Sequence, residues 1–301
     1  MNKPPFFSVV IPTYNCAELL NRSLSSVFSQ TYQDFEIIVI DNSSTDNTQK
    51  VLKNISNQKL KVIRVNNKGI IGYSRNKGID SARGEWIAFL DSDDVWRPKK
   101  LERVKDKINN NPNVILVCHD EWCVVNGERK NRLSYGPGGQ DLYERLLFIG
   151  NCLSTSAVCL RSNVAVETSG FSERNDYFSA EDYEYWIRLS QIGESFFINE
   201  ILGEWHIHDN NGSIGNPQKH ADAIISVAEH HLDLRLKNYP SDKMKVRNAK
   251  ARVWANGARI LQKNRLFSNS IKYVVKAIYL NPFKWEAWGV LLLSLLRISS
   301  K

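Results

Sequence analysis

The chain has 301 residues, 42% of them hydrophobic and 24% charged, an ordinary globular composition that suits one large α/β domain or one domain with a smaller helical appendage. The net charge of +8 is unevenly placed: from Arg235 onward fifteen Lys or Arg face only Asp242 and Glu286, net +13, while residues 1–234 sum to −5. Five cysteines (Cys16, Cys118, Cys123, Cys152, Cys159), odd in number and without a CxxC pair, exclude a disulfide framework. Cys118-His119 with Cys123 lacks the second pair that a zinc site needs, so buried free thiols are expected. Residues 1–5, Met-Asn-Lys-Pro-Pro, run straight into an apolar stretch without signal-peptide character. A reducing cytoplasm is the expected compartment.

In chain order, residues 7–12 (Phe-Ser-Val-Val-Ile-Pro), 35–40 (Phe-Glu-Ile-Ile-Val-Ile) and 61–65 (Lys-Val-Ile-Arg-Val) read as strands, as does the run 85–90 that ends at Asp91. Between them, residues 17–30, 45–55 and 74–82 carry apolar positions at helical spacing. This alternation predicts a mostly parallel sheet flanked by helices. Beyond Asp94 the pattern loosens: a helix over 101–109, strands over 114–118 and 121–125, a Gly/Pro turn at 135–139, a helix over 142–148 and a strand over 155–160. A helix over 181–191 and a strand over 195–198 follow, and only helix from about residue 218. The expected division is therefore 1–218, a catalytic α/β domain, and 219–301, a basic helical region.

Ligands of open parallel sheets bind beyond the carboxyl ends of the strands. That rule gathers Pro12-Thr13-Tyr14-Asn15, Asp41-Asn42-Ser43-Ser44 and Asp91-Ser92-Asp93 around one crevice. Carboxylates crowded at a strand end repel one another unless a cation is present. Hard oxygen ligands on a short turn suit Mg²⁺ or Mn²⁺ bridging to phosphate. The plainer reading is a solvated turn in which Asp94 caps a helix starting near Arg97-Pro98.

Four ordered segments, 9–15 (Val-Val-Ile-Pro-Thr-Tyr-Asn), 38–46 (Ile-Val-Ile-Asp-Asn-Ser-Ser-Thr-Asp), 72–85 (Gly-Tyr-Ser-Arg-Asn-Lys-Gly-Ile-Asp-Ser-Ala-Arg-Gly-Glu) and 89–94 (Phe-Leu-Asp-Ser-Asp-Asp), resemble family 2 glycosyltransferases over residues 7 to about 215. The resemblance implies the Rossmann-like GT-A fold, a nucleotide-sugar donor with UDP favoured, a divalent metal and inversion at the anomeric carbon. It implies that Pro12, Thr13, Tyr14 and Asn15 shape the base and ribose pocket, with Asp41 accepting from the base and Ser43 beside it. Arg75 would lie near base and diphosphate, Asp91 and Ser92 near ribose and metal, and Asp93 on the metal itself. An aspartate at a strand end can accept the imide N–H of uracil.

In the family an acidic pair at the start of a later helix supplies the base; here that place holds Glu181-Asp182. Single displacement requires removal of the acceptor hydroxyl proton, for which Asp182 is the candidate, with Glu181 orienting sugar or acceptor. The plainer reading is two acidic residues favouring a helix N-terminus. Residues 203–213 resemble the family's Tyr-Arg-x-His stretch with Trp205 and His206 substituted, so His208 matches the histidine that completes metal coordination or touches diphosphate. A neutral imidazole favours Mn²⁺ over Mg²⁺. A Gln-x-x-Arg-Trp motif is lacking, which points to addition of one sugar. The implied acceptor is a saccharide or lipid-linked saccharide, as in bacterial surface polysaccharide assembly.

A nucleotidyltransferase would want a Gly-rich loop where Pro12-Thr13-Tyr14-Asn15 stands; a non-catalytic carbohydrate-binding protein would not need Asp91, Asp93 and Asp182. The basic region ends in Trp285, Trp288 and residues 290–296, flanked by Lys284 and Arg297, too short to span a bilayer but suited to its interface. Peripheral attachment to an anionic inner leaflet is one expectation, packing on the chain's own domain the other. Basic runs interleaved with base-stacking aromatics are missing, so nucleic acid is not expected as a partner.

Overall fold

The structure is a computed structural model that describes residues 3–139, 141–208 and 215–299. Contacts divide the chain into two units: Met1–Gly138, Cys152–Glu173 and Arg188–His208 form the first, and Gly139–Asn151, Arg174–Ile187 and Asp209–Lys301 the second.

The first unit is built on one nine-stranded sheet. Strands β1 (Phe7–Thr13) and β2 (Phe35–Asp41) are buried along all seven residues, as expected for central strands covered on both faces. They pair in parallel, Phe7 opposite Phe35 through Thr13 opposite Asp41, so the two strands end level. β3 (Leu60–Arg64) continues the parallel set beyond β2 and β4 (Trp86–Phe89) beyond β1. Alternate residues Phe7, Val9 and Ile11 point into a core shared with Leu20, Leu24 and Val27 of α1 (Ala17–Phe28) and with Leu101, Val104 and Ile108 of α4 (Lys100–Asn110). On the opposite face α3 (Ile71–Ser81) approaches so closely that a Cβ at Gly78 would lie 2.2 Å from Val10 Cγ1. A helix interior tolerates the conformational cost of glycine there because no larger residue fits. α2 (Thr48–Asn54) completes the alternation.

Past β4 the sheet becomes mixed, in the order β3-β2-β1-β4-β8-β6-β9-β5 with β7 beside β6. β8 (Cys159–Arg161) runs antiparallel to both β4 and β6 (Val114–Val125). Two strands were expected over 114–125; β6 is one, because the intervening polar residues are held within the fold. Asp120 accepts from the Arg132 guanidinium and from Tyr135 N–H, and Glu121 accepts from Tyr135 Oη. β7 (Glu128–Leu133) escaped notice because this outer strand exposes five of its six residues and carries no apolar alternation. β9 (Glu194–Ile207) extends far beyond the expected 195–198 and pairs in parallel with β6 through Ile207. The two-residue β5 (Val95–Trp96) pairs with it. Residues 155–157 form a single 3₁₀ turn rather than the start of a strand, and a short helix α6 (Ser162–Glu167) follows β8. All five cysteines are free thiols, and burial pushes that of Cys118 well above the usual range.

The second unit is helical: α5 (Leu142–Phe148), the opening of α7 (Glu181–Leu189), α8 (Pro217–Asn238), α9 (Lys243–Lys263), α10 (Phe267–Leu280) and α11 (Trp285–Leu295). Asn216 caps α8, its Oδ1 accepting from Lys219 N–H, with Pro217 at the first turn where a missing donor costs nothing. Small residues let the last three helices approach: Ala255, Ala258, Ala277 and Ala287 pack with Val274 and Val290.

Candidate active site

The ends of β1 and β2 fold back on each other. Asn15 and Ser43 both take left-handed backbone, φ 46° and 52°, which few non-glycine residues adopt without local hydrogen bonds. Those bonds are present: Asn15 N–H donates to Ser44 Oγ at 3.0 Å, Asn15 Oδ1 accepts from Thr45 N–H at 2.8 Å, and Ser43 Oγ donates to Val65 O at 2.7 Å. Asp41 is buried, and its Oδ1 accepts from Ser44 N–H at 3.0 Å. Among the described residues nothing donates to its Oδ2, and Thr13 Oγ1 is buried without a partner. Pro12 sits opposite Ile40, and Tyr14 projects into solvent.

Next along the strand ends, α3 delivers Arg75 from a buried position, stacked over Phe171, with Nη2 2.8 Å from Asp91 Oδ1. The turn that begins at Asp91 is held from several sides. Arg22 Nη2 donates to Asp93 O at 2.8 Å, Asp94 N–H to Asp91 O at 3.1 Å, and Asp91 N–H to Ser156 Oγ at 3.0 Å. Ser92 lies against Cys16, whose thiol burial pushes up. Asp93 meets His208 beyond the end of β9, with Oδ2 2.8 Å from Nε2. Burial, then the charge of Asp91, raises the Asp93 carboxyl above its ordinary value.

Asp94 does not cap a helix. It is buried, with Oδ1 accepting His206 N–H at 2.9 Å and Oδ2 accepting Ser156 Oγ–H at 2.5 Å. One carboxyl thus ties the Asp91 turn to the strand that delivers His208. Ser156 O also accepts from Trp96 Nε1. Sequence reasoning missed Ser156 entirely and gave Asp94 no role beyond a cap in its plainer alternative; a third carboxylate beside an already crowded pair was the available signal.

Behind this turn lies a second buried polar group. Lys100, fully buried, places Nζ 3.2 Å from Cys159 Sγ and over the Trp96 ring. Burial lifts Glu121 to about 7 despite its hydrogen bonds from Ser154 and Tyr135 and the nearby Lys100 charge. Burial likewise drops His119 to about 3, so its ring is neutral at ordinary pH.

In the second unit, α7 starts two residues after Ser179, whose φ of 55° turns the chain and whose Oγ lies 2.7 Å from His220 Nδ1. Asp182 is part-exposed, with Oδ1 accepting Tyr183 N–H at 2.7 Å and Oδ2 3.5 Å from Asn151 Nδ2. Glu181 is buried. Tyr183 Oη donates to Leu146 O at 2.7 Å and ties α7 to α5.

Among the described residues no three His, Cys, Asp or Glu side chains converge as a closed metal cage, and that applies equally to Cys118, His119 and Cys123. One carboxylate and one imidazole meeting at 2.8 Å fit a different kind of centre, a divalent ion that takes few protein ligands and completes its shell with phosphate and water.

The family model for glycosyl transferase family 2 matches residues 8–166, more than half the chain. The chain belongs to glycosyl transferase family 2. Among curated relatives of this glycosyltransferase is the amylovoran biosynthesis glycosyltransferase AmsB of Erwinia amylovora, 28% identical over 243 residues that cover 76% of this chain and 79% of AmsB. Two solved structures share the GT-A fold. TarS 1–349 of S. aureus, in complex with UDP-GlcNAc, superposes with a TM-score of 0.61 at 17% identity, covering 97% of this chain and 92% of that one. The mannosyltransferase PcManGT of Pyrobaculum calidifontis, in complex with GDP-Man and Mn²⁺, gives 0.59 at 16% identity, covering 98% and 86%. No described helix is long and apolar enough to cross a membrane.

Proposed function

We propose that this family 2 glycosyltransferase transfers one sugar, with inversion, from a UDP-sugar to a hydroxyl of a saccharide or lipid-linked acceptor. The reaction serves assembly of a bacterial surface polysaccharide, at the inner face of the cell membrane where a lipid-carried acceptor is presented. The observation that carries this reading is the meeting of Asp93 and His208 at the strand ends that also hold Asp41, with Arg75 brought to Asp91 by α3. Asp41, with Oδ2 open, accepts the imide N–H of uracil, while Thr13 and Tyr14 line base and ribose and Asn15 and Ser43 shape the loops beneath them. Arg75 and Asp91, paired with each other, orient the ribose and diphosphate, beside Ser92.

Asp93 and His208 are the residues that would hold Mn²⁺ or Mg²⁺, with Asp91 beside them. When bound, the ion would supply positive charge that offsets the negative charge building on the leaving diphosphate. Asp182 takes the acceptor hydroxyl proton as that oxygen attacks the anomeric carbon opposite the diphosphate, and Glu181 orients the sugar or acceptor. Donation from Tyr183 N–H to Oδ1 keeps the Asp182 carboxylate in one rotamer. The relatives lend support from outside: AmsB is named for polysaccharide biosynthesis, TarS is seen with UDP-GlcNAc, and PcManGT with GDP-Man and Mn²⁺.

Calorimetry with UDP, GDP and dTDP, each with Mn²⁺ and with EDTA, tests the donor. UDP should bind most tightly and only with metal. Equal UDP affinity in EDTA removes the metal from the reading, and a preference for GDP removes uracil. Product that retains the donor's anomeric configuration overturns the single displacement.

A further inference from the structure

We infer that the exposed face of α11, with Phe283 and Tyr279 just ahead of it, docks on an anionic lipid bilayer. The inner face of this helix is already used. Ala287, Val290 and Ser294 are buried in the alanine-rich core, and Ser294 Oγ lies 2.9 Å from Ser270 Oγ of α10. The outer face carries Trp285, Trp288, Leu292, Leu295 and Leu296, spaced three, four, three and one apart, which at 3.6 residues per turn is one continuous stripe. Trp285 is 76% exposed and the other four half or more. Phe283, between α10 and α11, and Tyr279, near the end of α10, are likewise 90% and 81% exposed. Single apolar side chains on a surface are ordinary; a row of five large ones on one helix face marks a contact surface.

The chemistry around the stripe selects a lipid. Trp288 Nε1 donates to Pro282 O at 2.8 Å, so its indole enters an apolar phase without losing a water partner. The acidic residue of α11, Glu286, is paired with Lys284 at 3.2 Å. Lys263, Arg265, Lys272 and Arg297 are exposed cations of the segment of net +13, while Lys276 lies 3.8 Å from Glu229 Oε1 and over the Trp254 ring. A second copy on this face would set two such segments against each other, whereas anionic headgroups neutralise them. Eleven residues of helix span roughly 16 Å, about half a hydrocarbon core, so α11 lies in the interface with its indoles at headgroup depth. This deepens the proposed function, since it rests on a lipid-carried acceptor for its purpose, yet it is testable without turnover.

The full chain is co-sedimented with vesicles of phosphatidylcholine alone and of phosphatidylcholine with phosphatidylglycerol, at low and high salt. Binding should need the anionic lipid and weaken steeply with salt. Leu292→Glu with Leu295→Glu should reduce the vesicle-bound fraction at least about tenfold. Its thermal unfolding should match wild type, because both side chains are exposed. Lys263→Glu with Lys272→Glu, which leaves the stripe intact, should weaken binding several-fold and decides the matter if the leucine variant does not fold. Wild-type protein that stays in the supernatant overturns the inference, as does either folded variant binding like wild type. A leucine variant that falls from dimer to monomer overturns it too, because the face then belongs to a second copy. Vesicle binding by a chain that binds no UDP would keep the surface and sink the donor reading instead.

Discussion

Two short segments break the usual rule of burial in opposite directions. Around residues 91–94, in the first unit, carboxylates are gathered into the interior: Asp94 is buried, Asp93 nearly so, and Glu121 lies fully buried in the same unit. Along α11, in the second unit, tryptophan and leucine stand in solvent. Charge is costly inside unless hydrogen-bonded, and large apolar rows are costly outside unless covered. Each departure is sustained by partners that the fold or a ligand must provide. The Asp94 carboxyl has its partners within the chain; the apolar surface of the α11 stripe is left uncovered by the described residues.

Substitutions can break that comparison at either end. The largest effect is expected of Asp93→Asn, which should lower turnover by about three orders of magnitude or more and abolish metal-dependent UDP binding, with an unchanged melting point. Wild-type kinetics in this variant would mean the carboxyl was gathered for structure alone. Asp182→Asn keeps the shape but cannot take a proton, so kcat should fall by about two to four orders of magnitude while UDP still binds. Near-normal turnover would move the base to Glu181.

Asp94 separates stability from chemistry. Removing it as Asp94→Ala strands His206 N–H and Ser156 Oγ, and should cost on the order of 1–3 kcal/mol in denaturant unfolding together with about tenfold in kcat. Asp94→Asn, which can still accept from His206, should recover most of both. Equal damage from the two variants would show that the charge, not the hydrogen bonds, holds the turn.

Glu121 tests what the interior charges. Its folded value of about 7 lies above that of an unfolded glutamate, so its contribution to stability is complete below about pH 4.5 and is lost as pH rises through about 7. Melting curves should therefore show wild type losing stability relative to Glu121→Gln between about pH 5 and 8, by on the order of a few kcal/mol. Parallel curves would place the ionised carboxylate in a fully compensated site. The smallest effect belongs to Trp285→Ala, a change on the exposed stripe, which should leave unfolding within about 0.5 kcal/mol of wild type. A larger loss would mean that the stripe is covered within the chain.

The parallel half of the sheet was legible because β1, β2 and β4 are mostly apolar, interrupted before their ends only by Ser8 and Glu36, which bond to each other, and strands buried on both faces need such runs. The helical character beyond residue 218 was equally plain from its periodicity. Much of the mixed half was not. β7 is polar up to its last residue, Leu133, β9 alternates weakly, and the polar centre of β6 looked like a break, although Arg132 and Tyr135 had paired it. At the site, strand-end carboxylates could be picked out as candidates, but their partners could not. Asp93 and His208 are 115 residues apart, and Asp94 and Ser156 are 62 apart.

By itself, then, the amino-acid order determined which segments are strands and helices from β1 to β4, and where polar clusters fall relative to strand ends, because burial imposes a period on each element separately. Tertiary structure alone decided which carboxylate lies open, which pairs with arginine or histidine, and which becomes an internal clamp. It also decided that Val290 and Ser294 turn inward while Leu292 and Leu295 face water. Local pattern reports how much a side chain prefers to be buried; what it is buried against is set by chain segments far away in sequence.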